Sequence, residues 1–282
     1  MKKITSIVLL FLIVNFAVAQ QSRNFVNHGP QLSAAMIQGS IFVKDSKGKL
    51  LVYTVVRGEP AHLLGFDVKA KALVLDVPLP KSDGAWDLAQ STDGTLYIPG
   101  AGGNLFSHTP GTKTIKDLGQ ALPNETYLWS LTPGKNGEVF GASYPGCRVF
   151  RYHPKDGFSD LFSGPLVAGE NYVRSLAFDA KRNMLYAGVG SHAHLIEIDL
   201  TAKTKKEILP AKYLDREFVY GLELVTGSDG VDRLLALLTA GNLTLVYNLK
   251  TKQVEQEIEG MDMKTVGFDP VTKTVAYTSK NN

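Results

Sequence analysis

Trp86, Trp129, Arg174, Tyr220 and Lys264 share one recurring position in this chain, each two residues before the aliphatic anchor of a repeated segment. Small or aliphatic residues would suit a position that opens an inner strand. Aromatics there also fit a packing role, as wedges between neighbouring sheets. Arg174 is different, because a buried guanidinium requires a carboxylate or carbonyl partner. Loops facing the same end add Tyr144, Arg148 and His192 as groups placed to meet a ligand. Glu125, Glu170 and Asn171 lie in the loops that lead into the inner strands, as partners for Arg174 or for that ligand. His192 and His194 are two apart and share one side of a strand. No third ligand follows at a spacing that completes a metal site, so neither a metal nor another cofactor is expected. His108 and His153 fall in lysine-rich turns and read as solvated. No hydrolase elbow, phosphate loop or zinc motif occurs.

An internal repeat sets these positions. Gly84-Ala-Trp-Asp-Leu88, Tyr127-Leu-Trp-Ser-Leu131, Tyr172-Val-Arg-Ser-Leu176 and Phe218-Val-Tyr-Gly-Leu222 open successive units, with their leucines 43, 45 and 46 residues apart. The register extends back to Ile41 and forward to Val266. Each unit continues with a β-rich run such as Glu138-Val-Phe-Gly141, a small-residue loop, and a third run such as Leu195-Ile-Glu-Ile198. A turn such as Asp67-Val-Lys-Ala-Lys71, Asp199-Leu-Thr-Ala-Lys203 or Asn248-Leu-Lys-Thr-Lys252 then leads to a more polar fourth run. Four short antiparallel strands per period of about 44 residues predict an all-β fold, a β-propeller of four-stranded blades. A β-sandwich would not repeat one pattern at a near-constant period.

About six units are visible. The first occupies residues 36–79, and the last supplies two strands, over 265–269 and 274–278. Only Arg23 to Ala35 remains at the N-terminus to complete that last blade, and Gly29-Pro30 makes this a poor strand. The expectation is therefore a shortened propeller, reduced from seven blades, over residues 36–282.

Residues 1–19 read as a secretory signal peptide: Lys2 and Lys3, an apolar run from Ile7 to Phe16, and Ala17-Val-Ala19 as the cleavage signal. A short segment, 20–35, would precede the propeller. The mature chain is expected to be periplasmic or secreted, with no membrane span. Removing Lys2 and Lys3 brings the 30 basic residues close to balance with the 27 acidic ones. That balance argues against nucleic acid, which requires a clustered basic surface. Cys147, the single cysteine, cannot form an internal disulfide, so stability must come from the core.

Three segments, Ser143-Tyr-Pro-Gly-Cys-Arg-Val-Phe-Arg-Tyr-His-Pro154, Glu170-Asn-Tyr-Val-Arg-Ser-Leu-Ala-Phe-Asp179 and Gly190-Ser-His-Ala-His-Leu-Ile-Glu-Ile-Asp199, carry a family likeness. They resemble a group of secreted bacterial β-propellers found in proteins and gene neighbourhoods devoted to polysaccharide breakdown. The architecture is similar to that of propeller-fold polysaccharide lyases, such as ulvan lyases, and of a rhamnosidase acting beside glucuronic acid. The resemblance implies an acidic, uronic-acid-containing polysaccharide or oligosaccharide as partner. It implies Tyr144 or His192 as the base that removes the proton beside the carboxylate, and Arg174 as the cation that neutralises it. Trp86, Trp129, Arg148, Tyr220, Asn171 and Glu125 would then bind the substrate. The alternative is a non-catalytic propeller scaffold that offers a rigid surface to a protein partner.

Overall fold

Period-two alternation of buried and exposed residues makes these segments strands. In β2 (Leu50–Val56), Leu51, Tyr53 and Val55 are buried, and in β3 (Ala61–Asp67) every second residue is buried. The computed structural model describes residues 36–279. With β1 (Ile37–Lys44) and β4 (Ala72–Leu79), these two strands form the first antiparallel sheet, in sequence order. Sheet 2 holds β5 (Ala89–Gln90), β6 (Leu96–Pro99), β7 (Asn104–His108) and β8 (Ile115–Gln120). Sheet 3 holds β9 (Tyr127–Pro133), β10 (Val139–Tyr144), β11 (Val149–His153) and β12 (Gly157–Asp160). Sheet 4 holds β13 (Tyr172–Asp179), β14 (Met184–Gly190), β15 (His194–Asp199) and β16 (Thr204–Glu207). Sheet 5 holds β17 (Phe218–Thr226), β18 (Asp232–Thr239), β19 (Leu243–Asn248) and β20 (Gln253–Glu259), and a Gly190–Phe218 pairing links it to sheet 4 as one eight-stranded sheet. A final hairpin pairs β21 (Met261–Asp269) with β22 (Thr274–Ser279), two strands among the described residues.

Successive sheets stack face to face through five hydrophobic clusters. The first joins sheets 1 and 2 through Tyr53, Leu63, Ile98 and Phe106. Equivalent clusters join sheet 2 to 3, 3 to 4, 4 to 5, and sheet 5 to the hairpin. The segments that open neighbouring sheets adjoin each other: Gly39 N donates to the Ala85 carbonyl, Leu131 N to Asp87, and the Ser175 hydroxyl to the Val219 carbonyl. The fourth strands of sheets 4 and 5 are polar, whereas β4 of the first sheet (Ala-Leu-Val-Leu-Asp-Val-Pro-Leu) is mostly apolar; β16 (Thr-Lys-Lys-Glu) is exposed throughout, and lysine on an outer edge discourages further strand pairing.

The lysine-rich turns have one construction. Asp67 Oδ1 accepts from the Lys69 and Ala70 N–H groups, Asp199 Oδ1 from Thr201 and Ala202, and Asn248 Oδ1 from Lys250 and Thr251. The chain then leaves through a left-handed lysine, Lys71, Lys203 or Lys252, at φ 53–60°. Side-chain acceptors of this kind hold a tight turn without glycine.

The anchors keep one register: Ile41 faces Tyr53, Leu131 faces Gly141, Leu176 faces Ala187 and Leu222 faces Ala236 across each first pair of strands. Leu88, Leu131 and Leu176 are buried, whereas Ile41, Leu222 and Val266 are only half-buried. His108 corrects the solvated reading. It is 1% exposed, with Nδ1 donating to the Thr114 carbonyl at 2.8 Å and Nε2 3.2 Å from the Tyr53 hydroxyl. Burial holds its imidazole below the ordinary histidine range. The readings of residues 1–19 and 20–35 lie outside the described residues. Among the described residues no helix is long and apolar enough to cross a membrane.

Candidate functional site

One backbone irregularity builds the site. In sheet 4, Val173 faces Val189 but Ser175 faces Gly188, so Arg174 is an extra residue in β13. Trp129 is the extra residue in β9 and Tyr220 in β17. A β-bulge shifts the alternation by one and re-aims a side chain. Val173 and Leu176, three residues apart, consequently enter the same hydrophobic cluster, as do Leu128 with Leu131 and Val219 with Leu222. The residue between them is left out of that cluster, and Tyr220 packs instead against the next one, between sheet 5 and the hairpin. In sheet 1 the register shift falls at Gly39, where a side chain would meet the Asp87 backbone at 2.8–3.0 Å.

The released side chains touch in series. The Trp86 and Trp129 rings lie 4.8 Å apart. The Arg174 guanidinium lies 5.1 Å from the Trp129 ring and 4.1 Å from the Tyr220 ring, and its Nη2 donates to the Tyr220 hydroxyl at 2.8 Å. Nearer the loops runs a second row: Tyr127, Tyr144, Tyr172 and Phe218, with successive centroids at 6.2, 4.4 and 5.5 Å. Tyr127 stacks on Trp129 at 5.3 Å and 12°, joining the two rows. Gly190 admits the Phe218 ring, which would lie 2.0 Å from any Cβ there. Sequence reasoning missed Tyr127, Tyr172 and Phe218 as site residues, although an aromatic residue opens three of the repeated segments.

No carboxylate forms an ion pair with Arg174 among the described residues. Asp87 acts on it from a distance. Its Oδ2 accepts from Leu131 N at 2.8 Å and Ser130 Oγ at 3.0 Å, and its Oδ1 accepts from Leu88 N at 2.8 Å. Burial pushes the Asp87 carboxyl above its ordinary range, opposed by those hydrogen bonds and by the Arg174 charge. The Trp129 indole N–H is buried without an acceptor among the described residues. A tryptophan serving only as packing usually finds one.

The remaining candidates divide into two groups. Tyr144 belongs to the aromatic row, against Tyr172. His192 stands on the β14–β15 loop with its side chain 75% exposed; its Nδ1 lies 2.7 Å from Glu170 Oε1, and its N–H donates to Glu170 Oε2 at 3.0 Å. Burial raises the Glu170 carboxyl, but the hydrogen bonds from His192 outweigh it and hold the group below its ordinary range. Arg148 is engaged elsewhere, with Nε and Nη2 on Asp160 Oδ2 at 2.9 and 2.5 Å and Nη1 4.0 Å from Glu125. Glu125 is 2% exposed and accepts from Gly146 N at 3.0 Å, which braces the β10–β11 loop. Asn171 is exposed, and its carbonyl accepts from Cys147 N at 3.1 Å. His194 pairs with Glu207 at 2.6 Å. No cluster of three metal-ligating residues occurs among the described residues.

An open cleft of about 620 Å³ adjoins the aromatic rows at the loop end. Glu59, Lys81, Asp83, Gly102 and Thr126 line it, and Tyr127 is its shared wall with the stack. Its volume falls in the ~300–1,000 Å³ range of ligand clefts.

No family profile matches the sequence, and no curated protein does. Solved structures do match. The extracellular domain of BT4673 from B. thetaiotaomicron, classed as a one component or hybrid two component system, is 16% identical at TM-score 0.58, over 89% of this chain. This chain spans 38% of the length of that one. Virginiamycin B lyase from Staphylococcus aureus, in a catalytically inactive form with quinupristin, is 18% identical at TM-score 0.61, over 81% of this chain and 72% of that one. A nidogen/laminin complex gives TM-score 0.57 at 12% identity, over 80% and 81%. At these identities the likeness concerns the fold alone: antiparallel sheets arrayed as in propeller-like extracellular domains.

Proposed function

We propose that this chain is an exported β-propeller of about six units that binds an acidic oligosaccharide of uronic-acid type on its aromatic rows. The observation that carries the reading is Arg174, held between Trp129 and Tyr220 with no carboxylate ion pair of its own among the described residues. A guanidinium fixed by aromatic faces keeps edge N–H donors for a planar anion, and bidentate carboxylate recognition uses that geometry. The indole and phenol faces beside it suit the apolar faces of sugar rings.

Trp86 and Trp129 are the two tryptophans of the chain, so intrinsic fluorescence reports on this site directly. Glucuronate-containing oligosaccharides are expected to change that fluorescence saturably. Neutral cello-oligosaccharides should change it far less, and Arg174→Met, folded by circular dichroism, should abolish the response to the acid. Equal responses to acidic and neutral sugars, or an unaltered titration in the variant, would refute the reading.

A second reading, β-elimination, is favoured by the His192–Glu170 pair. With Nδ1 donating to Glu170, the exposed imidazole keeps Nε2 as a proton acceptor, the arrangement a general base requires. Its product, an unsaturated uronate, absorbs in the ultraviolet. Turnover that disappears in His192→Ala while binding persists would support this reading, and absence of that absorbance would leave a binder.

A further inference from the structure

The cleft beside Tyr127 extends the same site. On the basis of the acidic-sugar reading, we infer that this cleft takes an uncharged, hydroxyl-bearing sugar next to the uronate held at Arg174. The ligand class is then a glycan in which neutral units separate the acidic ones. Tyr127 supplies the continuity, because it stacks on Trp129, which carries Arg174, and also walls the cleft. A ring leaving the Arg174 position across Tyr127 enters the cleft.

The lining chemistry selects against a second carboxylate. Asp83 is neutralised by Arg57, whose Nη2 donates to its Oδ2 at 3.0 Å. The Ser82 hydroxyl is committed to the Gly84 carbonyl at 2.7 Å. Glu59 and Lys81 remain, one of each charge, and neither has a protein partner among the described residues. An entering carboxylate would meet no net positive charge and would lose hydration against Glu59. A neutral ring meets the Glu59 oxygens as acceptors for its hydroxyls, and Lys81 and the Thr126 hydroxyl as donors. Selectivity arises from the unfavourable like charge as much as from the favourable hydrogen bonds.

Two probes with the same acid separate the possibilities: hyaluronan oligosaccharides, in which N-acetylglucosamine separates the glucuronates, and oligoglucuronate, in which every unit is charged. Tryptophan fluorescence and calorimetry should give hyaluronan about tenfold tighter binding. Glu59→Gln, an exposed change that leaves the fold intact, should narrow that ratio about threefold or more by improving oligoglucuronate. Equal affinity for the two probes, each still lost in Arg174→Met, would overturn the inference and leave the acidic-sugar site standing. A ratio unmoved by Glu59→Gln would overturn it equally. If neither probe binds, the acidic-sugar reading itself fails, and this inference with it.

Discussion

Arg174→Met tests whether this guanidinium belongs to a built site or merely fills space. The structure assigns three contacts to it: the Tyr220 face at 4.1 Å, the Trp129 face at 5.1 Å, and a 2.8 Å hydrogen bond to the Tyr220 hydroxyl. Each cation–π contact at a half-buried site contributes about 0.5–1 kcal/mol, and the hydrogen bond about 1 kcal/mol. Methionine keeps much of the stem packing. The expected loss is about 2 kcal/mol, or roughly 4–8 °C in Tm for a domain of this size. The loss should also depend on pH through Asp87. Burial raises its carboxyl above the ordinary value of 3.8, and Arg174 restrains that rise. A raised carboxyl contributes stability that is whole below the unfolded pKa and is lost as pH rises through the folded pKa. Without Arg174 the folded pKa climbs further and the loss continues to higher pH. Urea denaturation followed by circular dichroism should therefore show the gap between variant and wild type widening as pH rises above about 4, the unfolded carboxyl's range. Arg174→Met combined with Asp87→Asn should remove the widening. A gap constant with pH, or no loss of stability, would refute the electrostatic coupling that the site geometry requires.

Glu223, half-buried on β17, has its carboxyl raised by burial. Glu223→Gln should raise Tm at neutral pH and have no effect at acidic pH, where the wild-type carboxyl is already protonated; an equal gain at both would exclude the desolvation cause. Asp232 is held at about 2 by the Thr226 hydroxyl and by Lys181 and Arg182, against burial. It ties the β13–β14 turn to β18. Asp232→Asn should cost about 1 kcal/mol at neutral pH after surface screening. The cost should vanish as pH falls from 3.8 towards 2, which acid titration of the folded fraction would measure, and a cost persisting at low pH would assign the effect to packing instead.

The repeated units were legible because each follows a local rule. The strands alternate, the turns place Asp or Asn four residues before a left-handed lysine, and the leucine anchors recur at the same register. What stayed hidden depends on pairing between distant segments. His108 lies in a lysine-rich turn by sequence, yet its partner is Tyr53, 55 residues earlier and in another sheet. Arg148 stands in the loop predicted to face a ligand, but Asp160 and Glu125 already occupy it. For the central residues the deciding feature was the bulge. Strict alternation back from Leu176 would put Arg174 on the Leu176 face, inside the interface between sheets 3 and 4, and Trp129 and Tyr220 likewise beside Leu131 and Leu222. Tyr220 still packs against the cluster between sheet 5 and the hairpin, as the wedge reading of the aromatics expects. One extra residue in each of β9, β13 and β17 reverses the phase, so Val173, Leu128 and Val219 fill the interfaces and the neighbouring residue is left out of them. Nothing in a single segment requires this. It emerges from comparing units, because an aliphatic residue three before the anchor, with a cation or aromatic between, recurs as Leu128, Val173 and Val219. Two aliphatic residues an odd distance apart cannot share one face of a regular strand, so their recurrence was itself the sign that an extra residue stands between them.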